Sequence, residues 1–416
     1  MYRRWGHVDR ATARALFERM TATGARVGHV GDDDAATWYY IPVRLRRSMS
    51  EAPNFEAALQ YVREVYPFWN RTQGHRHFVV HMGDLGRAET DRSQWTQNLT
   101  FVTHWGLFAE RMHPNPEYAA RGSKWPASHR NATDIVLPVF FSSGKFVCPS
   151  IPTILIQRVC GDHSKPRLDG VWPNCATTAN SMYSGGIRQL VHLHHWNRTG
   201  FFIRLGDPQY GTHLLTARYC WGPMGGGHGQ RQARRRSLVV GIYTVVIQAV
   251  LSGCVPVAIS DNVLEAFEPF LDWNSFGVRV AEADIPRLHE VLAAITPQEY
   301  AHKVSRLRCA AQHMAFSTFT GAFLGEDGRF DAFETLLEIL RVKAAHPNAP
   351  PEQLRQLDPE FDAFMNCRDF SGGGGPSDGT GSGRLCSVAP FDAGNSKVKM
   401  CRNWKRGASP PIALGY

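Results

Sequence analysis

The chain has 416 residues, 43% of them hydrophobic and 20% charged, enough for two ordinary globular domains and a tail. That composition excludes collagen, coiled coil and wholesale disorder. The formal net charge of +9 suits nucleic acid, an anionic surface or a phosphorylated small molecule. Its two local clusters, Arg44 with Arg46 and Arg47, and Arg234 with Arg235 and Arg236, carry no aromatic platform, so no nucleic-acid partner is expected.

Met1 to Arg10 show no apolar run after their charges, so no signal peptide is expected. Ala11 to Met20 has a helical pattern, and Thr37 to Pro42 is aromatic and β-prone. Asn54 to Val65 spaces its apolar residues as a helix does. His77 to His81 predicts a buried strand ending in a polar loop, Met82 to Arg87, and Ile135 to Phe141 is strand-like. Thr153 to Gln157 follows as a strand, Gly186 to Trp196 as an amphipathic helix, and Phe201 to Leu205 and Tyr219 to Gly222 as strands. Leu238 to Leu251 is the longest apolar stretch, yet too short to span a bilayer. Its end, Gln248 to Ser252, predicts a helix closed by Gly253. Val255 to Ser260 is a strand, and Ile285 to Ile295 a helix with Leu288, Val291 and Leu292 on one face. Strands alternating with helices indicate parallel sheets covered on both faces, and two such halves indicate two α/β domains facing a cleft. From about Ala344 the character changes; Pro350-Pro351 and Ser371 to Gly383 are linker-like.

The nine cysteines form no paired CxxC units, which argues against a zinc site. Asn70, Asn98, Asn131 and Asn197 begin Asn-x-Ser/Thr sequons, which lean towards an oxidising lumen. Cys160 and Cys175 bracket a Gly/Pro-rich loop and are the expected disulfide. Cys254, between apolar residues, is expected to be a buried free thiol.

Residues able to carry chemistry gather in a few places. In PMGGGHGQRQ, Pro223 to Gln232, glycines such as Gly225, Gly227 and Gly229, around His228, let backbone N–H groups approach a phosphate. Arg231 adds a forked cation suited to a diphosphate. The run is neither a P-loop nor a clean dinucleotide fingerprint, and taken alone it reads equally as a glycine turn. Arg188, in the first turn of a helix, and Arg158, at a strand end, are further candidate anion ligands, with a solvated surface arginine the alternative for Arg188. Glu282, between a strand and a helix, can accept hydrogen bonds from ribose hydroxyls, and Asp284 can cap that helix. Asp84 and His81 can act as a base towards a sugar hydroxyl; a loop-capping aspartate and a core histidine are the alternative.

Together these residues resemble the exostosin family. Ser252 to Phe270 (SGCVPVAISDNVLEAFEPF) and Leu271 to Phe276 (LDWNSF) are similar to its GC[IV]PV signature, the strand ending in Asp261 and the LDWxxF element. Val278 to Leu288 matches its acidic-Ile-Pro element, and Tyr219 to Gly225 resembles FCLxPxG. Thr37 to Arg46, Tyr66 to Phe78, Thr103 to Leu107 and Asp134 to Pro138 resemble N-domain motifs in order. The resemblance covers about residues 35 to 315 and is strongest to green-algal exostosin-like proteins, which carry SGGxRQ and GGGHGxRQ.

The resemblance implies a GT-B architecture, two Rossmann-like domains facing a cleft, with residues 1–150 on the acceptor side and 151–345 binding nucleotide sugar; composition adds a Gly-rich tail over 346–416. It implies inverting transfer from a nucleotide-diphosphate sugar, such as a UDP-sugar, to a glycan or glycoprotein, with no metal and no cofactor. It implies residence in the Golgi lumen as a type II membrane protein, and assembly with itself or with related glycosyltransferases. The donor site would comprise Arg158, Arg188, Gly225, Gly227, His228, Gly229, Arg231, Gln248, Asp261 and Glu282. Two departures stand out. A surplus of about fourteen residues separates Arg231 from Gly253, and Gln248 replaces a frequent glutamate. They leave a second reading, a catalytically inactive exostosin-like partner or glycan-binding protein.

Overall fold

The structure is a computed structural model. It describes residues 37–43, 52–83, 85–91, 93–112, 124–139, 187–203, 216–223, 242–316 and 328–369, with 12–13, 16–17, 19, 45, 120–122 and 213–214 as short pieces. The expected strand Thr153 to Gln157 and the Gly-rich run Ser371 to Gly383 lie outside these residues.

The N-terminal half is built on β1 (Tyr39–Tyr40), α1 (Ala52–Val65), α2 (Phe68–Thr72), β2 (His77–His81) and β3 (Thr100–Thr103). A hairpin of β4 (Arg111–Met112) and β5 (Lys124–Trp125) follows, then β6 (Ile135–Val136). The strands β1-β2-β3-β6 form one sheet, parallel at every pairing. β2 is buried at all five positions, as a central parallel strand covered on both faces must be. The short strand β3 carries only four residues, Thr-Phe-Val-Thr, too few to show a period, and the sequence reading passes over it.

The C-terminal half contributes α3 (Ile187–His195), β7 (Tyr219–Pro223), α4 (Ile242–Leu251), β8 (Val255–Ile259) and β9 (Val278–Arg279). Its sheet, β7-β8-β9, is also parallel. α4 packs on β7 and β8, where Gly222 leaves no room for a Cβ: one would stand well inside contact distance of Val246. α4 ends at Gly253, whose φ of +72° is the left-handed closure expected of a glycine. Part of the surplus segment, residues 242–245, lies within this helix.

The chain continues through α5 (Leu288–Ala294), α6 (Pro297–Met314), α7 (Ala332–Ala345), α8 (Leu354–Leu357) and α9 (Pro359–Met365). Thr296, Asp331 and Asp358 cap α6, α7 and α9 by accepting backbone N–H bonds, and proline opens α6 and α9. α7 returns to the N-terminal half: the Trp38 indole donates to the Leu340 carbonyl at 2.7 Å and Arg76 to that of Ala344 at 2.8 Å. Residues 12, 13, 16, 17 and 19 are helical, and Arg19 pairs with Asp331 and Glu334 on the same α7 side.

Four expectations are corrected. Phe201 to Ile203 is irregular rather than a strand. Pro350-Pro351 is no linker; Pro351 is buried, and Leu354, Phe361 and Met365 beyond it join the main core. Asp284 caps no helix but lies within a 3-10 turn, Glu282–Arg287, and pairs with Arg287. Cys254 is not a free thiol: it is buried and disulfide-bonded to Cys220 across neighbouring strands β7 and β8, with Cα atoms 5.8 Å apart. Strand adjacency sets that pairing, and a sequence separation of 34 gives no sign of it.

The hydrophobic core joins the two halves. One cluster packs Phe78, Val80, Val102 and Ile135 against Val246, Val255, Phe267, Phe333 and Phe361. A second packs Trp105, Leu107 and Trp125 against Ile187, Val257, Ile259 and Ile285. Among the described residues, no helix is long and apolar enough to cross a membrane.

Candidate active site

The loops that leave the carboxyl ends of β3 and β8 meet, and open α/β sheets bind ligands at those ends. After β3, Leu107 bridges to Val263, which follows β8. Leu264 N–H donates to the Gly106 carbonyl at 2.9 Å, Phe108 N–H to that of Asn262 at 3.0 Å, and Phe267 N–H to that of Val136 at 2.7 Å. Gly106 has to be glycine, because a Cβ there would overlap the Leu264 carbonyl oxygen and stand 2.9 Å from the Val136 Cγ2.

The rim of this junction on the C-terminal side carries Asp261 and Glu282. Each holds the other's backbone: Asp261 N–H donates to Glu282 Oε1 at 3.0 Å, and Glu282 N–H to Asp261 Oδ1 at 3.2 Å. Arg111 reaches across from the β4–β5 hairpin and grips Glu282 with two hydrogen bonds of 2.8 Å. Such a fork is the strong form of an arginine–carboxylate pair. The sequence reading missed Arg111, whose two-residue strand leaves no pattern.

Below the rim lies Glu265, fully buried, accepting from the Ser260 hydroxyl at 3.0 Å. Burial pushes its pKa up to about 7, opposed by the Arg279 charge and reinforced by Glu268. Glu268 accepts the Glu265 N–H at 2.7 Å and pairs with Arg279. Burial raises the Glu268 carboxyl too.

On the N-terminal side the loop after β2 is fixed by a buried pair that sequence reasoning did not single out. Arg87 donates to Asp134 from Nε at 2.8 Å and from Nη2 at 2.6 Å. It also donates to the Thr96 and Leu99 carbonyls at 2.9 and 2.6 Å. Asp134 further accepts the backbone N–H groups of Phe101 and Arg130 at 3.1 and 3.0 Å. The motif at Asp134 to Pro138 pointed to this aspartate, though not to its partner.

His81 ends β2 with no exposed surface. Gly83 N–H donates to its Nδ1 at 3.0 Å, and burial, with a smaller effect of His104, lowers its pKa to about 3. It is a neutral core histidine that shapes the first turn of the loop. Asp84, three residues after His81, lies outside the described residues.

Arg188 is the second residue of α3 and is buried at 2% exposure, so it is not a solvated surface arginine. Its neighbours on that helix face, Ile187 and Val191, pack with Val257, Ile259 and Ile285, which sets the helix against β8. His195 at the other end donates from Nε2 to the Ile285 carbonyl at 2.6 Å. Gln248 is half-buried on α4, about 9 Å along the helix from its first residue and towards the end that leads into β8. Arg158, Gly225, Gly227, His228, Gly229, Arg231, Cys160 and Cys175 lie outside the described residues, although the glycine run begins just after β7 ends at Pro223.

The family model described as the exostosin GT47 domain matches residues 3–295. A probable glucuronosyltransferase of Oryza sativa subsp. japonica is 25% identical over 336 residues, 76% of this chain and 70% of the relative. A probable beta-1,4-xylosyltransferase of Arabidopsis thaliana is 25% identical over 336 residues, 75% of this chain and 71% of the relative. A probable glycosyltransferase of the same plant is 24% identical over 348 residues, 79% of this chain and 56% of the relative.

Proposed function

We propose a mechanism from the premise that the chain belongs to the exostosin GT47 family and is a glycosyltransferase. The proposal is inverting transfer of a sugar from a nucleotide-diphosphate sugar, of which a UDP-sugar is the first to test, to a glycan or glycoprotein. Its framework is a GT-B arrangement of two Rossmann-like domains, residues 1–150 and 151–345.

The observation that carries the reading is the meeting of the strand-end loops. Leu107 pairs with Val263, and Arg111 holds Glu282, so the loops at the carboxyl ends of both sheets share one junction. The two candidate reacting regions stem from those ends: Asp84 follows β2, and the glycine run follows β7. A donor on the second sheet and an acceptor on the first would meet there.

In this scheme the amides of Gly225, Gly227 and Gly229, with His228, Arg231, Arg188 and Arg158, hold the diphosphate. They stabilise the negative charge that grows on it as the glycosidic bond breaks, and each preorganised donor contributes about 3 kcal/mol. Glu282, shared with Arg111, and Gln248 orient the ribose, with Asp261 beside Glu282. Asp84 takes the proton from the acceptor hydroxyl. His81, being buried and neutral, holds the loop backbone at Gly83. Attack from the face opposite the diphosphate inverts the anomeric carbon. The scheme uses no metal.

A Golgi lumen location fits this reading. Two disulfides, Cys220–Cys254 and Cys309–Cys367, are what an oxidising compartment sustains.

Calorimetric titration of UDP into the whole protein tests the donor half. The wild type should bind, and Arg231→Ala should weaken binding at least about tenfold, or 1.4 kcal/mol. No binding by the wild type would favour the inactive partner instead.

A further inference from the structure

We propose that the reduced chain carries a site for zinc or another thiophilic divalent cation, made by Cys309, His313 and Cys367 at the crossing of α6 with the end of α9. The Sγ atoms and a ring nitrogen of these residues all lie within 4.8 Å of one another. Cys309 and His313 are four residues apart on α6, so they share a helix face, and Cys367 approaches from the turn after α9. Their spacing is that of Cys-x3-His, a signal that a search for paired CxxC units passes over.

The imidazole is prepared for ligation. Thr335 donates its hydroxyl to the Asp331 carbonyl at 2.7 Å, so its oxygen accepts from His313 Nδ1–H at 2.8 Å. The ring's other nitrogen, Nε2, faces Cys367 Sγ at 3.5 Å. Metal-bound histidines are oriented by such a partner on the far nitrogen. His313 and Thr335 are both fully buried, while the two cysteines are partly exposed and can be reached by a reductant and an ion.

In the structure Cys309 and Cys367 are joined as a disulfide, with Cα atoms 5.7 Å apart. A dithiol reductant supplies two electrons and two protons: the S–S bond breaks, two thiols form, and the reductant leaves as its own disulfide. A divalent ion then displaces both thiol protons to solvent. Two thiolates on a tetrahedral zinc stand about 3.8 Å apart, a separation open to the sulfurs once the bond is gone. The same crossing of α6 and α9 is therefore fastened in either state, by a disulfide or by a metal.

The test uses the full chain, reduced with a dithiol that is then removed without oxygen, and titrated with Co²⁺ as a spectroscopic probe and with Zn²⁺. One ion per chain should bind with thiolate-to-cobalt charge-transfer absorption. Cys309→Ser/Cys367→Ser should take up one equivalent fewer, a comparison that allows for the other cysteines. Thr335→Val, which removes only the orienting oxygen, should weaken uptake about 10–100-fold while melting cooperatively. Zn²⁺ should raise the melting temperature of the reduced wild type but not of the double variant. Equal uptake by the wild type and the double variant, or no thiolate absorption, would overturn the proposal.

Discussion

Gly106→Ala probes the seam between the two halves directly. The new Cβ would overlap the Leu264 carbonyl oxygen, well inside the 3.0 Å that real Cβ atoms essentially never cross, and would meet Val136 Cγ2 at 2.9 Å. The obstacle is backbone, so no side-chain rotation relieves it. Segment 262–264 has to move away from 106–108, which strains the hydrogen bonds from Leu264 to Gly106 and from Phe108 to Asn262. Losing both costs about 2 kcal/mol, and overpacking adds about 1–3 kcal/mol. The sum, about 3–5 kcal/mol, corresponds to a drop in Tm of roughly 6–10 °C for a domain somewhat larger than 250 residues. Calorimetry on wild type and variant measures it. In the proposed scheme donor and acceptor meet at this seam, so transfer activity should fall as well as stability. A Tm within about 1 °C of wild type, with full activity, would refute the reasoning about the junction.

Arg87→Met leaves Asp134 buried without its ion-pair partner, which should cost about 3–5 kcal/mol in denaturant unfolding. A loss below about 1 kcal/mol would show that the pair does not anchor the loop after β2. Glu265 has its folded pKa, about 7, above the 4.5 of an ordinary carboxyl. Its contribution is therefore complete below pH 4.5 and is lost as pH rises through 7. Stability should fall on the order of 2–3 kcal/mol across that window, and Glu265→Gln should flatten the slope; an unchanged slope places the titration elsewhere.

The sequence was most informative where burial imposes a continuous apolar run. β2 and β8 are such runs, each central in a parallel sheet, and their ranges, like that of the edge strand β7, match the reading to within a residue. Gly253 likewise announces the end of α4 because only a left-handed residue closes a helix that way. The strands of two residues, β4 and β9, are too short for a period, so Arg111 went unremarked although it bridges the halves. Tertiary pairing decides the rest. Cys220 and Cys254 meet because β7 and β8 are neighbours, and Arg87 meets Asp134 across 47 residues of chain. Pro350-Pro351 looked like a linker on composition, yet the helices beyond it bury Leu354 and Phe361 in the core. Of the candidate donor ligands, Asp261 and Glu282 come together through each other's backbone N–H groups.

The central claim is that the second half holds an activated sugar while the loop after β2 supplies the base. It is tested most directly by proton NMR of transfer from a turned-over UDP-sugar, comparing wild type with Asp84→Asn in samples whose donor affinity is also measured. The account predicts a product with inverted anomeric configuration from the wild type, and no product from Asp84→Asn at unchanged donor affinity. Retained configuration, or undiminished transfer by Asp84→Asn, would contradict it.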